Sequence, residues 1–282
     1  MPDSSGRPTY YEAITAAVND IAEHGYDSEE RVNYWAEEIR KAAERSMRSM
    51  DEVERMVREA MAAVFHRQVT NGGALRLNPG VTPYTLERIK PELHAELSRR
   101  VAASVNLIKL KRPEAIAKTQ ARLRGWATSI PPGGSPRVEK VETKTEFRKA
   151  LAQLPFEERR VVIDQSAKLF EAINTTVATN GGAIGAEWQS HVHQAGYDGR
   201  PTHNAREGKF FLLKGSWAQE AGLVKPGPNG YTEDVEQPAE WPFCKCKFLW
   251  RFSLRSIPDV CLTHKGREAL RAARAKVAGM RR

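Results

Sequence analysis

Apolar residues at Tyr10, Ile14, Ala17, Val18 and Ile21 recur every three or four positions, the spacing of one helical face, and predict a helix from Pro8 to His24. Gly25 follows, a residue that accepts the backbone of a helix end. Asp27-Ser28-Glu29-Glu30 then offers N-cap side chains with acids in the next first turn. From there Val32, Trp35, Ile39, Ala42, Ser46, Met50, Val53, Val57, Ala60 and Val64 form a stripe that no Gly or Pro interrupts. Read as one helix it is about 50 Å long. Such a rod exposes an apolar stripe that needs a second long helix or a neighbouring subunit to cover it.

Farther on, helical spacing predicts a third region from Pro83 to Gly125, broken near Pro113, and two more helices over Lys144–Leu154 and Pro155–Thr179. Ile130-Pro131-Pro132-Gly133-Gly134-Ser135-Pro136 reads as a linker. Thr70-Asn71-Gly72-Gly73-Ala74 and Thr179-Asn180-Gly181-Gly182-Ala183 read as two similar helix ends rather than a duplication, because their flanks do not align. After Gly181 the helical period gives way to short strand-like runs among Gly, Pro and aromatic residues. The expected class is α+β: a mostly helical N-terminal region with one very long helix, a small α+β C-terminal domain and a basic terminal helix. The expected segments are an elongated helical region over 1–130, a linker and helical pair over 131–180, the compact α+β domain over 181–264 and the basic tail over 265–282.

Of the 282 residues, 40% are hydrophobic and 28% charged, which excludes a low-complexity chain. The longest uncharged stretch, Ala172–Ala186, is too short and too polar to span a bilayer, so no membrane partner is expected. Met1-Pro2-Asp3-Ser4-Ser5-Gly6 has no secretory pattern, and three cysteines do not make a disulfide framework; both suit a reducing cytosol.

The net charge of +9 is concentrated. Arg99–Arg124 holds eight Lys or Arg against Glu114 alone, and Lys265–Arg282 holds seven against Glu268 alone, so the rest of the chain is net acidic. Basic helices suit phosphate backbones, although a solvated surface or an acidic protein partner satisfies the same pattern. In the tail, Arg267, Arg271, Arg274, Lys276, Arg281 and Arg282 are the candidate contacts to double-stranded DNA.

Candidate chemistry lies between Trp188 and Phe252. Tyr197-Asp198-Gly199-Arg200-Pro201-Thr202-His203-Asn204 contains a turn signal, with Thr202 or Asn204 able to cap a short helix. In the run from Cys244 to Phe252, residues Cys244, Cys246, Phe248, Trp250 and Phe252 alternate with Lys245, Lys247, Leu249 and Arg251, as in a half-buried strand. Phe210, Phe211, Trp217, Tyr231, Trp241, Phe243, Phe248, Trp250 and Phe252 read together as a small core rather than a base-stacking platform.

The order Arg200-x-Thr202-His203, Gly208, Pro226-Gly227 and Cys244-x-Cys246 resembles the phage Mu F-like minor head protein family over about residues 181–252. Phe243 and Lys245 around the cysteines, and Pro228 after Pro-Gly, depart from that family's pattern. The resemblance implies a structural or morphogenetic role in a tailed-phage head. It implies association with portal or capsid proteins inside a multi-subunit assembly, DNA packaging or ejection, and residence in the virion after assembly in the host cytoplasm. Arg200, Thr202, His203, Gly208, Cys244 and Cys246 are then motif residues of structural importance.

Two thiols and an imidazole also form a candidate zinc set of His203, Cys244 and Cys246, with His191, His193 or Cys261 as a fourth ligand. On a flat strand, however, alternate sulfurs stand about 6–7 Å apart, too far for one tetrahedral ion. Buried small hydrophobes or a disulfide explain the same pair, so no cofactor is expected, with zinc as the exception to test. No catalytic spacing is recognisable, and no enzyme is expected. The alternative is a zinc-dependent hydrolase or an ADP-ribosyltransferase-like domain drawing on Glu233, Asp234 or Glu236 as base. A plain DNA-associated helical protein is the third reading.

Overall fold

The computed structural model describes residues 8–134, 141–152, 154–191 and 199–279. Met1–Gly6, Ser135 and Pro136 of the linker, His193, Tyr197, Asp198, Arg281 and Arg282 lie outside the described residues. The helices are α1 (Tyr10–His24), α2 (Glu29–Ser46), α3 (Met50–Phe65, continued by a π turn at His66–Thr70), α4 (Gly73–Leu77), α5 (Pro83–Ala127), α6 (Val141–Leu151), α7 (Leu154–Asn180), α8 (Pro201–Asn204), α9 (Trp217–Glu220) and α10 (His264–Gly279). Strands β1 (Gly185–Gln189), β2 (Phe210–Leu212) and β3 (Lys247–Arg251) form an antiparallel sheet in the order β2-β1-β3. The class is α+β, as expected. None of the helices, among the described residues, is long and apolar enough to cross a membrane.

The long stripe of Val32–Val64 is not one rod. The chain leaves α2 at Met47, whose backbone is extended, and restarts at α3. A reciprocal cap restarts it: Glu52 N–H donates to Ser49 Oγ, and Ser49 N–H donates to Glu52 Oε2 at 2.8 Å. The very long helix is α5 instead, 45 residues, or about 67 Å of helix at 1.5 Å per residue. It runs unbroken through Pro113, where a break was expected. Pro113 and Lys109, whose carbonyl loses its usual donor, are both exposed, so water can supply the missing bond.

The expected stripe also finds its cover within the chain. Val32, Ile39, Ala42, Val53 and Val57 are buried, while Trp35, Met50, Ala60 and Val64 are half-buried. A greasy rod in search of a neighbouring subunit is therefore not a property of this fold.

The described residues form two compact units, 8–57 with 102–162 and 58–101 with 163–279. In the first, Ile14, Ala17, Val18 and Ile21 of α1 pack with Ala36, Ile39 and Ala43 of α2 and with Ile116 and Leu123 of α5. Thr9 and Glu12 cap α1 reciprocally, Gly25 ends it at φ +70°, and Ser28 caps α2. Tyr10 reaches across this core to donate to Leu151 O at 2.8 Å.

In the second unit, α7 ends at the Gly pair as expected, with Gly182 at φ +80° and Ala183 N–H donating back to Ala178 O. The chain then enters β1 at the centre of the sheet. Ala186 pairs with Phe211 and Trp250, and Trp188 with Phe248. Ala178, Ala186, Trp188, Phe211, Phe248 and Trp250 form a core that also takes in Cys244 and Cys246. The aromatic set is not all core: Trp217, Trp241 and Phe243 are 46%, 47% and 41% exposed.

Candidate functional site

Arg200 is extended because Pro201 follows it, and Pro201 opens the single turn of α8. Neither Thr202 nor Asn204 caps this turn; Arg200 occupies the N-cap position without a side-chain bond, and Thr202 is exposed. The turn buries His203, which is only 3% exposed, edge-on against Trp188 at 5.4 Å. Ser190 Oγ accepts from Trp188 Nε1 at 2.9 Å and donates to His203 O at 2.7 Å, fixing the turn to β1. Gly208, at φ +69°, reverses the chain toward β2 and donates its N–H to Trp188 O.

The cysteines reach the same place from the other end of the sequence. Only residues 247–251 of the alternating run form strand, and Cys244 and Cys246 precede it in a bend. Phe243 in that bend has φ +61°, a left-handed backbone that costs a non-glycine residue about 1–3 kcal/mol. The bend gathers the sulfurs. Both Sγ atoms lie 3.5 Å from His203 Nδ1, and the three atoms are all within 4.8 Å of one another. The flat-strand separation of the sulfurs does not hold, because the pair is not on a flat strand.

Backbone N–H groups converge on this cluster. Those of Cys246 and Ala239 donate to Cys244 Sγ, and that of His191 to Cys246 Sγ. The Cys246 thiol also donates to Cys244. Chiefly through that bond, the Cys244 thiol falls to about 5 while the Cys246 proton is held well above its ordinary range. Cys261 is buried in a separate core with Leu262 and Val224, and among the described residues neither it nor His191 joins the cluster as a ligand.

A polar layer surrounds the ring. His203 Nε2 is buried without a well-aligned hydrogen bond, and Glu236 Oε2 stands 3.5 Å from it. Arg206 holds that carboxylate at 3.1 Å and lies over the Trp188 ring. The Arg206 bond, then that of Trp241, keeps Glu236 below the usual carboxylate range. Arg200 donates to Pro242 O at 2.9 Å and covers the Trp241 ring, pinning the loop that carries the cysteines. Arg200 thus organises loops, as its guanidinium fork suits. Glu233 and Asp234 turn elsewhere, toward Lys214.

A cleft of about 650 Å³ in this unit is walled by Glu96 and Arg100 of α5, Lys168 and Glu171 of α7, and the loop at 237–240. Sequence reasoning missed Glu171. Its Oε1 accepts from Phe248 N–H at 2.9 Å, and Asn174 Nδ2 donates to Phe248 O at 3.1 Å. The two side chains thereby satisfy an outer-edge residue of β3 as a fourth strand would. Burial raises the Glu171 carboxyl to about 8, against the opposing pull of the Phe248 N–H.

The two basic segments differ. In 99–124, Arg99 and Arg100 pair with Glu96, Lys111 with Glu114 and Arg112 with Glu158, so acids meet at least four of its eight cations. In α10, Arg271, Arg274 and Lys276 are exposed, while Arg267 Nη1 is spent on Leu262 O. No protein-family model matches the chain, and no curated protein or solved structure matches it either.

Proposed function

We propose that this chain is a structural, morphogenetic minor head protein of a tailed bacteriophage, of the Mu F-like kind, associated with the portal or inner capsid. The observation that carries the reading is convergence. Arg200, His203, Cys244 and Cys246, which supply the resemblance in sequence, stand far apart in the chain and meet in one buried cluster and its pinned loop. A motif order arising by chance has no reason to close in space. Thr202 and Gly208 sit on the same turn and its exit.

In this reading α10, exposed at Arg271, Arg274 and Lys276, is the contact with packaged double-stranded DNA. Arg271, Arg274 and Lys276 present charge to phosphates without any base-reading element. Mass spectrometry of gradient-purified particles from cells producing the phage tests the assignment. The chain is expected in particles at a fixed stoichiometry to the portal protein; its absence from particles, with the protein present in the lysate, overturns it.

The enzyme reading draws on Glu236 beside His203. That carboxylate is held by Arg206 and faces the nitrogen that points away from the sulfurs. It is placed to orient the ring rather than to act as a base at the cluster.

A further inference from the structure

We propose that His203, Cys244 and Cys246 bind one zinc ion, through Nδ1 and the two sulfurs, and that this ion ties α8 to the loop before β3. The geometry is the first support. Zinc bonds of about 2.3 Å to sulfur and 2.0–2.1 Å to nitrogen, at a tetrahedral angle, set sulfur and nitrogen ligands about 3.5–3.6 Å apart. His203 Nδ1 is 3.5 Å from each sulfur.

The donor set is the second. Two thiols crowd one imidazole nitrogen that has a single lone pair to accept with. All three atoms belong to buried residues. As ligands, the two sulfurs and Nδ1 each turn a lone pair toward one common point. Thiolate and imidazole together select zinc over the hard, oxygen-seeking magnesium and calcium ions.

The surroundings are the third. Glu236 faces Nε2 at 3.5 Å, the position from which a carboxylate fixes a ligating histidine with its proton on the outer nitrogen. Backbone N–H groups of Ala239, Cys246 and His191 point at the sulfurs and stabilise the charge that thiolates carry. Ala239 and Phe243 hold left-handed backbones in the loop that delivers these contacts. The strain goes into gathering the ligands, and a bound ion repays it.

The inference does not rest on the head-protein reading, since a zinc site fits a virion component and a plain DNA-associated protein alike. The test uses the full-length, untagged protein prepared in zinc-containing medium and analysed by elemental mass spectrometry. One zinc per chain is expected, lost in Cys244→Ser and in His203→Ala and kept in Cys261→Ser. Where a variant fails to fold, the wild-type protein still decides. Cobalt added after chelation is expected to give sulfur-to-metal charge-transfer absorption and the visible bands of a tetrahedral site. Zinc is expected to protect Cys244 and Cys246 from alkylation while leaving Cys261 unchanged. A wild-type protein without zinc, showing no cobalt spectrum and equal alkylation with and without metal, overturns the inference. A Cys244–Cys246 disulfide in protein kept under reducing conditions does the same.

Discussion

Glu171 shows how one side chain can hold a sheet edge. Its carboxyl accepts from Phe248 N–H and sits fully inside the unit, where Lys247 pulls its proton affinity down and Cys244 raises it. A folded value near 8, against about 4.5 for the free group, means that the folded state keeps a proton the unfolded state releases. Stability is therefore highest below about pH 4.5 as far as this residue is concerned, falls through the window from 4.5 to 8, and levels above it. Glu171→Gln keeps the acceptor and removes the titration. Denaturant unfolding at several pH values is expected to show the variant gaining on the wild type across that window, by on the order of a few kcal/mol at its upper end. A difference independent of pH contradicts the assignment. Arg200, His203 and the cysteine pair were legible in the sequence because they stand in a recognisable order. Glu171 and Asn174 were not, and Glu236 was visible only as a candidate base, because a lone polar residue on a helix or in a loop acquires its role only when a strand or a ring is packed against it.

At the scale of elements, the break between α2 and α3 was legible in principle. Ser49-x-x-Glu52 is a helix-start signature, but it lies inside an unbroken apolar stripe, and the stripe predicts a continuous rod. Ser49→Ala removes an acceptor from the first turn of α3 and is expected to cost about 0.5–2 kcal/mol in equilibrium unfolding, with helix content retained. The unbroken α5 was less legible. Two exposed prolines, Pro91 and Pro113, interrupt its sequence without interrupting its buried face, where Leu93, Ser104, Ile108, Ile116 and Leu123 follow one another by helical steps and their multiples. The start of α10 is fixed differently. A methyl group on Gly266 would stand 2.0 Å from Leu223 O, so the helix approaches that backbone as only glycine allows. Gly266→Ala is expected to destabilise by about 1–3 kcal/mol, or to release α10 selectively, which hydrogen exchange of the helix amides distinguishes.

For the whole molecule, the class of fold was legible and the pairing of segments was not. Each compact unit joins stretches of chain separated by dozens of residues, and no local period encodes which of them meet. With the Val32–Val64 stripe covered by the chain itself, the proposed place in a larger assembly rests on the motif cluster and on charge. The charge has its own measurement. Substituting Arg271, Arg274 and Lys276 by Ala in the full chain is expected to weaken binding to duplex DNA of any sequence and to flatten the slope of log K against log salt by about 2–3. An unchanged slope removes α10 as the DNA contact. The proposed head role is tested most directly by a cryo-EM reconstruction of purified particles, compared with particles lacking this chain. Removing the chain is expected to delete density at the inner face of the capsid or beside the portal. Two identical reconstructions, with the protein recovered only from the soluble fraction, would contradict it.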